Sequence, residues 1–172
     1  MVPLIVQENN MRVEELMTSK VFVVEQDDYV DRVFFLIHYE SIRHLPVVEK
    51  GKVIGIVSDR DLYKALGPKS NSRAIAEASG PNASELYVST KRVRHIMRRG
   101  VITVHRDTSA SDAAAIMADN KIGALPVVDK DDRLVGILSS TDILRVFSKL
   151  DKAGGEKEKK PLPGNKKAWA PD

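Results

Sequence analysis

Two short segments place a serine and an aspartate three residues apart, directly after an apolar run. They read GIVSDRD at Gly55–Asp61 and GILSSTD at Gly136–Asp142. This order predicts a strand that ends where serine caps a helix, and the free N–H groups of a first helical turn favour an anion such as phosphate. The carboxylates of Asp61 and Asp142 can accept hydrogen bonds from the vicinal diol of a ribose, as acidic residues do in dinucleotide-binding folds. The pattern therefore indicates a nucleotide site.

The same pattern also has a purely structural explanation. A serine cap followed by an aspartate in the first turn is what a helix start needs for capping and for electrostatics. For one copy alone we favour this explanation. The presence of the pattern at equivalent positions in both copies favours a ligand site, although a duplicated cap would also produce it.

The two segments belong to a longer pattern that occurs twice. Val13–Leu62 aligns with Val93–Ile143, and Met17 lies opposite Met97 at an offset of 80 residues. One extra residue in a turn changes the offset to 81 in the second half of the alignment. A hydrophobic pattern that recurs at a fixed offset indicates a duplicated structural unit.

Each copy has the pattern helix–strand–helix–strand–strand–helix, so we predict an α/β fold. In the first copy we expect a short helix ending at Met17, a strand at Val21–Val24, a helix at Tyr29–Tyr39, strands at Leu45–Glu49 and Val53–Val57, and a helix capped by Ser58. In the second we expect a short helix ending at Met97, a strand at Val101–Val104, a helix at Ser109–Asn120, strands at Leu125–Asp129 and Leu134–Leu138, and a helix capped by Ser139. Leu-Pro should open the second strand of each copy, because proline disrupts the middle of a ladder. One copy has too little sheet to bury its apolar face, so the two should pack about a pseudo-two-fold axis.

The rest of the chain is expected to connect or extend these repeats. We predict an N-terminal extension at 1–10, repeats at 11–67 and 92–150, and a linker at 68–91 with a short helix around Ala74–Ala78. The tail at 151–172 is rich in Lys, Pro and Gly and is expected to be disordered. The chain has no cysteine, which excludes disulfides and thiolate metal sites and fits a cytoplasmic protein. Its apolar runs are too short to cross a membrane.

Catalytic chemistry is not expected. The four histidines are scattered, without the spacing of a metal site, and there is no P-loop, G-x-G-x-x-G or G-x-S-x-G motif. Ser58 and Ser139 have no histidine nearby in sequence to activate them. We therefore predict no enzyme, no catalytic residue, no metal and no cofactor, with flanks too short for a catalytic domain.

The run IRHLPVVEKGKVIGIVSDRD from Ile42 to Asp61 resembles the signature of CBS domains, which are named after cystathionine β-synthase. So does IGALPVVDKDDRLVGILSSTD from Ile122, and the openings at Met17–Val24 and Met97–Val104 resemble the family too. The resemblance covers about Met11–Lys149. It implies a stand-alone CBS pair of prokaryotic or archaeal type, a Bateman module that commonly forms a homodimer. Such pairs commonly bind adenosyl ligands in the clefts between repeats, here AMP, ADP or ATP, with S-adenosylmethionine as the alternative.

The resemblance also implies two clefts, each combining the aspartate of one repeat with the first strand and the pre-Leu-Pro segment of the other. The first cleft would use Asp61 for ribose, Val101, Ile102, Ile122 and Gly123 around adenine, Arg43, His44 and Arg60 toward phosphate, and Ser58 as a further donor. The second would use Asp142 for ribose, Val21, Phe22, Ile42 and the backbone of Arg43 around adenine, Ser139 and Thr141 toward phosphate, and Lys20 as added charge. The apolar members could equally be core residues, and Arg43 could be a solvated surface residue.

The two clefts are expected to differ in charge. Where the first has Arg60, Arg43 and His44, the second has Thr141, Gly123 and Ala124. Since charge-assisted contacts to phosphate are the stronger ones, the first cleft should prefer more phosphate, and the second should prefer AMP or a neutral adenosyl group or bind weakly. We expect a regulatory sensor that acts on an unidentified protein. A nucleic-acid-binding or scaffold protein that uses the lysine-rich tail is the alternative; the net charge of +3 is weak support for it.

Overall fold

The computed structural model describes residues 11–66 and 91–153. They form two similar α/β units, as the repeat predicts. The N-terminal extension, the linker helix around Ala74–Ala78 and nearly all of the basic tail lie outside the described residues. Predictions about those segments therefore stay predictions.

The first copy supplies three helices and a hairpin. Helix α1 is Val13–Leu16, α2 is Val30–Tyr39, strands β1 and β2 are His44–Glu49 and Lys52–Ser58, and α3 is Asp59–Leu66. Helix α2 buries four apolar residues at helical spacing, namely Val30, Val33, Phe34 and Ile37. Both residues of the turn between β1 and β2, Lys50 and Gly51, have positive φ angles, as two-residue hairpin turns require.

The second copy repeats this order with small differences. A single 3-10 turn at Val93–His95 replaces the expected short helix and is followed by β3 (Val104–His105), α4 (Ala110–Asn120), β4 (Ala124–Val128), β5 (Leu134–Ser139) and α5 (Ser140–Ala153). Ser109 caps α4, because its hydroxyl oxygen accepts a hydrogen bond from the Asp112 backbone N–H at 3.0 Å. In the longer β4–β5 turn, the Asp129 carboxylate accepts from the backbone N–H groups of Arg133 and Asp131. These two bonds hold the pKa of Asp129 below its ordinary value.

The first predicted strand of each copy is mostly absent. Of Val21–Val24 only Val24 pairs, in a bridge to Val47, and of Val101–Val104 only Val104 belongs to a strand. The reason is the path of the chain. Thr18 is hydrogen-bonded to β5 of the second unit and Val24 to β1 of the first, so the residues between them cross from one unit to the other with no strand beside them.

The expected position of the Leu-Pro pair is also wrong by one residue. Pro46 is the third residue of β1, not its opening. Its partner across the hairpin is Ile56, and Ile56 directs both of its backbone groups away from β1, to Arg98. No N–H group is therefore needed from Pro46 on that side of the ladder, so proline is tolerated within the strand.

The segments that begin the two copies are exchanged between the units. Val13 is fully buried in the core of the second unit, among Val104, Leu125 and Leu138. Val93 is equally buried in the core of the first unit, together with residues of α2, β1 and β2. Backbone bonds follow the same exchange, with Val13 N–H donating to the carbonyl of Thr108 at 2.9 Å. Neither unit completes its core without a segment that belongs to the other copy in sequence.

Candidate functional site

The exchanged segments reach the sheets at the glycines of the Gly-x-x-Ser-x-x-Asp pattern. The backbone of Arg98 pairs with Ile56 through two hydrogen bonds of 2.9 and 3.0 Å, and Thr18 pairs with Ile137 at the same two distances. A Cβ added to Gly55 would lie 3.1 Å from the Arg98 carbonyl oxygen. The glycine therefore allows the close approach that its place in the pattern suggests, and the partner is this protein's own chain.

The serine and aspartate of each pattern form a reciprocal cap at a helix start. The backbone N–H and the hydroxyl of Ser58 donate to Asp61 Oδ2 at 3.1 and 2.6 Å, and the Asp61 N–H donates to the Ser58 hydroxyl at 3.3 Å. Ser139 and Asp142 repeat this arrangement at 2.9, 2.6 and 3.3 Å. The capping explanation is thus correct for both copies. It leaves Oδ1 of each aspartate available for another partner.

Asp61 has such a partner in the exchanged segment. Arg98 Nε donates to Asp61 Oδ1 at 3.1 Å, and the Asp61 side chain is only 9% exposed whereas that of Arg98 is 61% exposed. Burial raises the pKa of Asp61, but the hydrogen bonds from Ser58 and the Arg98 guanidinium outweigh it and lower this pKa below its ordinary value. Asp61 is therefore a carboxylate at neutral pH.

A cavity of about 520 Å³ opens beside Asp61, between the two units. This volume lies in the range of small-molecule sites. Every residue predicted for the first cleft lines it: Arg43, His44, Ser58, Arg60, Asp61, Val101, Ile102, Ile122 and Gly123. The structure thus brings these residues together from both copies, and their role in binding a ligand stays a prediction.

The cavity also has lining residues that the sequence reasoning missed. The most important are cationic, since Arg98, Arg99 and Lys121 join the predicted Arg43 and Arg60. The other missed lining residues are Ile56, Asp59, Gly100, Asn120, Ala124 and Ser140. One feature of the sequence could have identified these arginines. MRRGV, which begins at Met97, aligns with MTSKV, which begins at Met17, so only the second copy has two arginines at these positions. Two carboxylates face five cations around this cavity, so it favours an anionic ligand.

His44 lies at the centre of the site, against the segment that precedes β4. A Cβ added to Gly123 would lie 3.1 Å from Cε1 of His44, so any larger residue would require the imidazole to shift. Burial lowers the pKa of His44 below its ordinary value of 6.5, and the neighbouring Arg43 lowers it further, against the opposing effect of Asp59 and Asp61. The imidazole is therefore neutral at pH 7 and can donate or accept one hydrogen bond.

Apart from Arg43, the residues predicted for the second cleft do not line this cavity. Asp142 is bonded to Ser139, and its Oδ1 is approached at 3.4 Å by Arg145 of the same helix. Arg43 Nη2 donates to the Thr141 hydroxyl at 2.9 Å, so this arginine joins the two predicted clefts and is not simply solvated. The other members are half-buried or exposed: Lys20, Val21, Phe22 and Ile42.

The predicted apolar members of both clefts are not buried core. Phe22 and Ile102 are 43% and 38% exposed, and Val21 and Val101 are half-buried. Ile42 and Ile122 are half-buried and pack against the cores of the first and second unit. Within residues 11–66 and 91–153, no group of three or more histidines, aspartates or glutamates could hold a metal ion. No helix in this part of the chain is both long and apolar enough to cross a membrane.

Known sequences resemble this chain over both copies. The family model of the CBS domain matches residues 13–68 and 93–149. The protein MJ1225 of Methanocaldococcus jannaschii is 32% identical over 141 residues, which are 82% of this chain and 49% of that protein. The chain thus spans about half the length of this relative, and 40% of a second one from the same organism.

Solved structures agree with the fold and include bound ligands. The CBS domain pair of protein MJ0100, in complex with 5′-methylthioadenosine and S-adenosyl-L-methionine, has a TM-score of 0.64 and 29% identity and covers 80% of this chain and 99% of that chain. CBSX2 of Arabidopsis thaliana, in complex with AMP, has a TM-score of 0.65 and 27% identity and covers 81% of this chain and 98% of that chain. The two copies therefore have the architecture of a CBS pair.

Proposed function

This chain belongs to the CBS domain family, and from that premise we propose that it is a regulatory module that binds an adenine nucleotide in the cavity beside Asp61. One observation carries the proposal. A carboxylate suited to a ribose diol, apolar side chains suited to adenine and a group of cations suited to phosphate all line one cavity of about 520 Å³. The AMP complex of CBSX2 and the S-adenosylmethionine complex of MJ0100 support the adenosyl class of ligand.

Within the cavity we assign each part of the ligand to a different group of residues. Asp61 would accept from the ribose hydroxyls, and Val101, Ile102 and Ile122 would contact the adenine. Gly123 would allow the base to approach the backbone closely. Arg43, His44 and Arg60 would donate to the phosphate. Ser58, predicted as a further donor, is already committed, because its hydroxyl and its backbone N–H both donate to Asp61. A charged donor to a phosphate oxygen is stronger than a neutral one, which supports a phosphorylated ligand here.

The second cleft would be the weaker or less phosphate-selective site. Asp142 would again bind ribose, with Val21, Phe22 and Ile42 around the base. Thr141 and Lys20 would lie toward the phosphate, whereas Ser139 is already committed as a donor to Asp142. The cation that contacts Asp142 is Arg145, which is 72% exposed and therefore largely screened by water. S-adenosylmethionine or AMP would suit this cleft better than ATP.

Calorimetric titration with AMP, ADP, ATP and S-adenosylmethionine tests the proposal. We expect saturable binding of at least one adenine nucleotide, and Asp61→Ala should abolish the site beside it whereas Asp142→Ala should abolish the other. Asp61→Asn preserves the size of the side chain and so separates loss of the charge from loss of the helix cap. Asp107→Ala, at an exposed carboxylate, is the matched control. No binding of any of the four ligands at millimolar concentration would contradict the proposal.

We further propose that the module acts as a homodimer on a separate protein. Helices α2 and α5 expose large apolar side chains, with Phe35 and Tyr39 stacked on α2 and Leu144 and Phe147 65% and 70% exposed on α5. Exposed apolar surface of this kind favours association. Light scattering of the wild type and of Phe147→Ser should show a dimer that the substitution weakens, and a wild-type monomer at high concentration would contradict it.

A further inference from the structure

The ion pair between Arg98 and Asp61 occupies the carboxylate that the proposed ribose would use. Oδ2 of Asp61 accepts both bonds from Ser58, and Oδ1 accepts from Arg98 Nε at 3.1 Å. A carboxylate has about four acceptor positions, so one remains open here, on Oδ1. A ribose diol that donates both of its hydrogen bonds to Asp61 must therefore compete with Arg98 for Oδ1. A ligand that binds Asp61 in this way takes the counter-ion of Arg98 away.

The backbone of Arg98 is fixed at the wall of the cavity. Two hydrogen bonds of 2.9 and 3.0 Å join it to Ile56 on β2. Arg98 lines the cavity together with Arg60 and Arg99. Its two terminal nitrogens have no hydrogen-bond partner among the described residues. Displacement from Asp61 thus leaves a cation among cations unless the ligand brings a negative charge.

The other copy lacks this arrangement. Thr18 stands at the position equivalent to Arg98 and makes the same two backbone bonds to its strand. Asp142 keeps the two bonds from Ser139 but has no cation from the exchanged segment. The surroundings of Asp142 therefore show the same arrangement without an arginine at this position, and they can be compared directly with the surroundings of Asp61.

We propose that Arg98 is a charge-selecting residue, through which the cavity beside Asp61 accepts 5′-phosphorylated adenosines and rejects adenosines that are uncharged or cationic at the 5′ position. This inference rests on the proposed function and adds to it the class of ligand. A 5′-phosphate replaces the lost carboxylate as the partner of Arg98. Adenosine and 5′-methylthioadenosine offer no such group, and the sulfonium of S-adenosylmethionine adds a positive charge instead.

Titration calorimetry with AMP and with adenosine tests the proposal, using the wild type, Arg98→Thr, Arg98→Lys and Arg94→Thr. Arg98→Thr installs the residue of the other copy at an exposed side chain. Arg94→Thr removes the same charge from the same segment outside the cavity, where Arg94 pairs with Asp27. Amide resonances of Gly100 and Gly123, which line the cavity, report which cleft is filled.

We expect Arg98→Thr to weaken AMP binding about tenfold or more, the usual size of one lost charge-assisted bond, and to leave adenosine binding equal or stronger. In Arg98→Thr the preference for AMP over adenosine should thus fall by at least that factor. The preference should be unchanged in Arg94→Thr and partly retained in Arg98→Lys. An unchanged preference in Arg98→Thr, with AMP still shifting the Gly123 amide, overturns the role of Arg98 alone. Failure of the wild type to bind either ligand in this cavity overturns the proposed function together with it.

Discussion

Replacing Val13 with alanine tests the exchange of segments on which the whole site depends. Val13 begins the first copy in sequence, yet its side chain is fully buried in the core of the second unit. The change removes two methyl groups, which cost about 0.8 kcal/mol each in lost transfer free energy. The unfilled space adds a further cost, so we expect the free energy of unfolding to fall by about 2–3 kcal/mol.

Urea denaturation measures the size of this effect, and methyl NMR shows where it acts. We expect the methyl resonances of Leu125 and Leu138 to shift, because they belong to the same core as Val13. Those of Leu45 and Val57, in the other core, should shift little.

Val93→Ala is the matched variant, because Val93 is equally buried in the core of the first unit. Its largest shifts should fall on Leu45 and Val57. Two results would refute the exchange. Val13→Ala would instead perturb the core of the first unit, or it would lower the free energy of unfolding by less than about 0.5 kcal/mol, as a surface substitution does.

Three other predictions concern the close approach at Gly136, the helix cap Ser109 and the half-buried imidazole of His44. Gly136→Ala places a Cβ 3.1 Å from Met17 Cγ, so it should lower the free energy of unfolding, measured by urea denaturation, by about 1–3 kcal/mol. Unchanged stability would show that the segment around Met17 moves freely. Ser109→Ala removes the cap of α4 and should lower the free energy of unfolding by about 1 kcal/mol. Because threonine can also cap a helix, an equal loss in Ser109→Thr would argue against capping as the cause. The lowered pKa of His44 means that the unfolded chain binds more protons below pH 6.5, so stability is full above that value and declines as the pH falls toward the folded-state pKa. His44→Gln should remove this part of the decline when denaturation is compared at about pH 7.5 and about pH 5.5, and an identical decline in both proteins would contradict the assignment.

Local patterns predict much of the fold. The spacing of apolar residues identifies α2, which begins at Val30, one residue after the predicted start, and the serine at 109 is the N-cap of α4. The residues of the first cleft were identified from the repeat and the family resemblance, and the structure brings them to one cavity. The helices depend on periodicity and on caps, which neighbouring residues determine, whereas the grouping of the cleft residues is what the family resemblance implies.

Long-range features could not be predicted in the same way. The apolar pattern is consistent with burial of Val13 but does not show which core receives it, because both cores are apolar. Arg98 has the sequence context of a solvated arginine, and only its pairing with Ile56 brings it beside Asp61. The predicted strand at Val101–Val104 failed for the same reason, since β pairing depends on what lies alongside and not on the β-branched residues themselves.

The path of the segment 98–104 explains how an occupied cavity could affect the arrangement of the two units. Its first residue, Arg98, is bonded to β2 of the first unit, and its last, Val104, pairs with Val127 of the second. The residues between, including Val101 and Ile102, line the cavity. A ligand that contacts this crossing segment therefore touches a direct connection between the two sheets. Because a ligand shifts a conformational equilibrium only through contacts that differ between the states, these crossing residues, and not the rigid caps at Ser58 and Ser139, are where binding would change the relative position of the repeats.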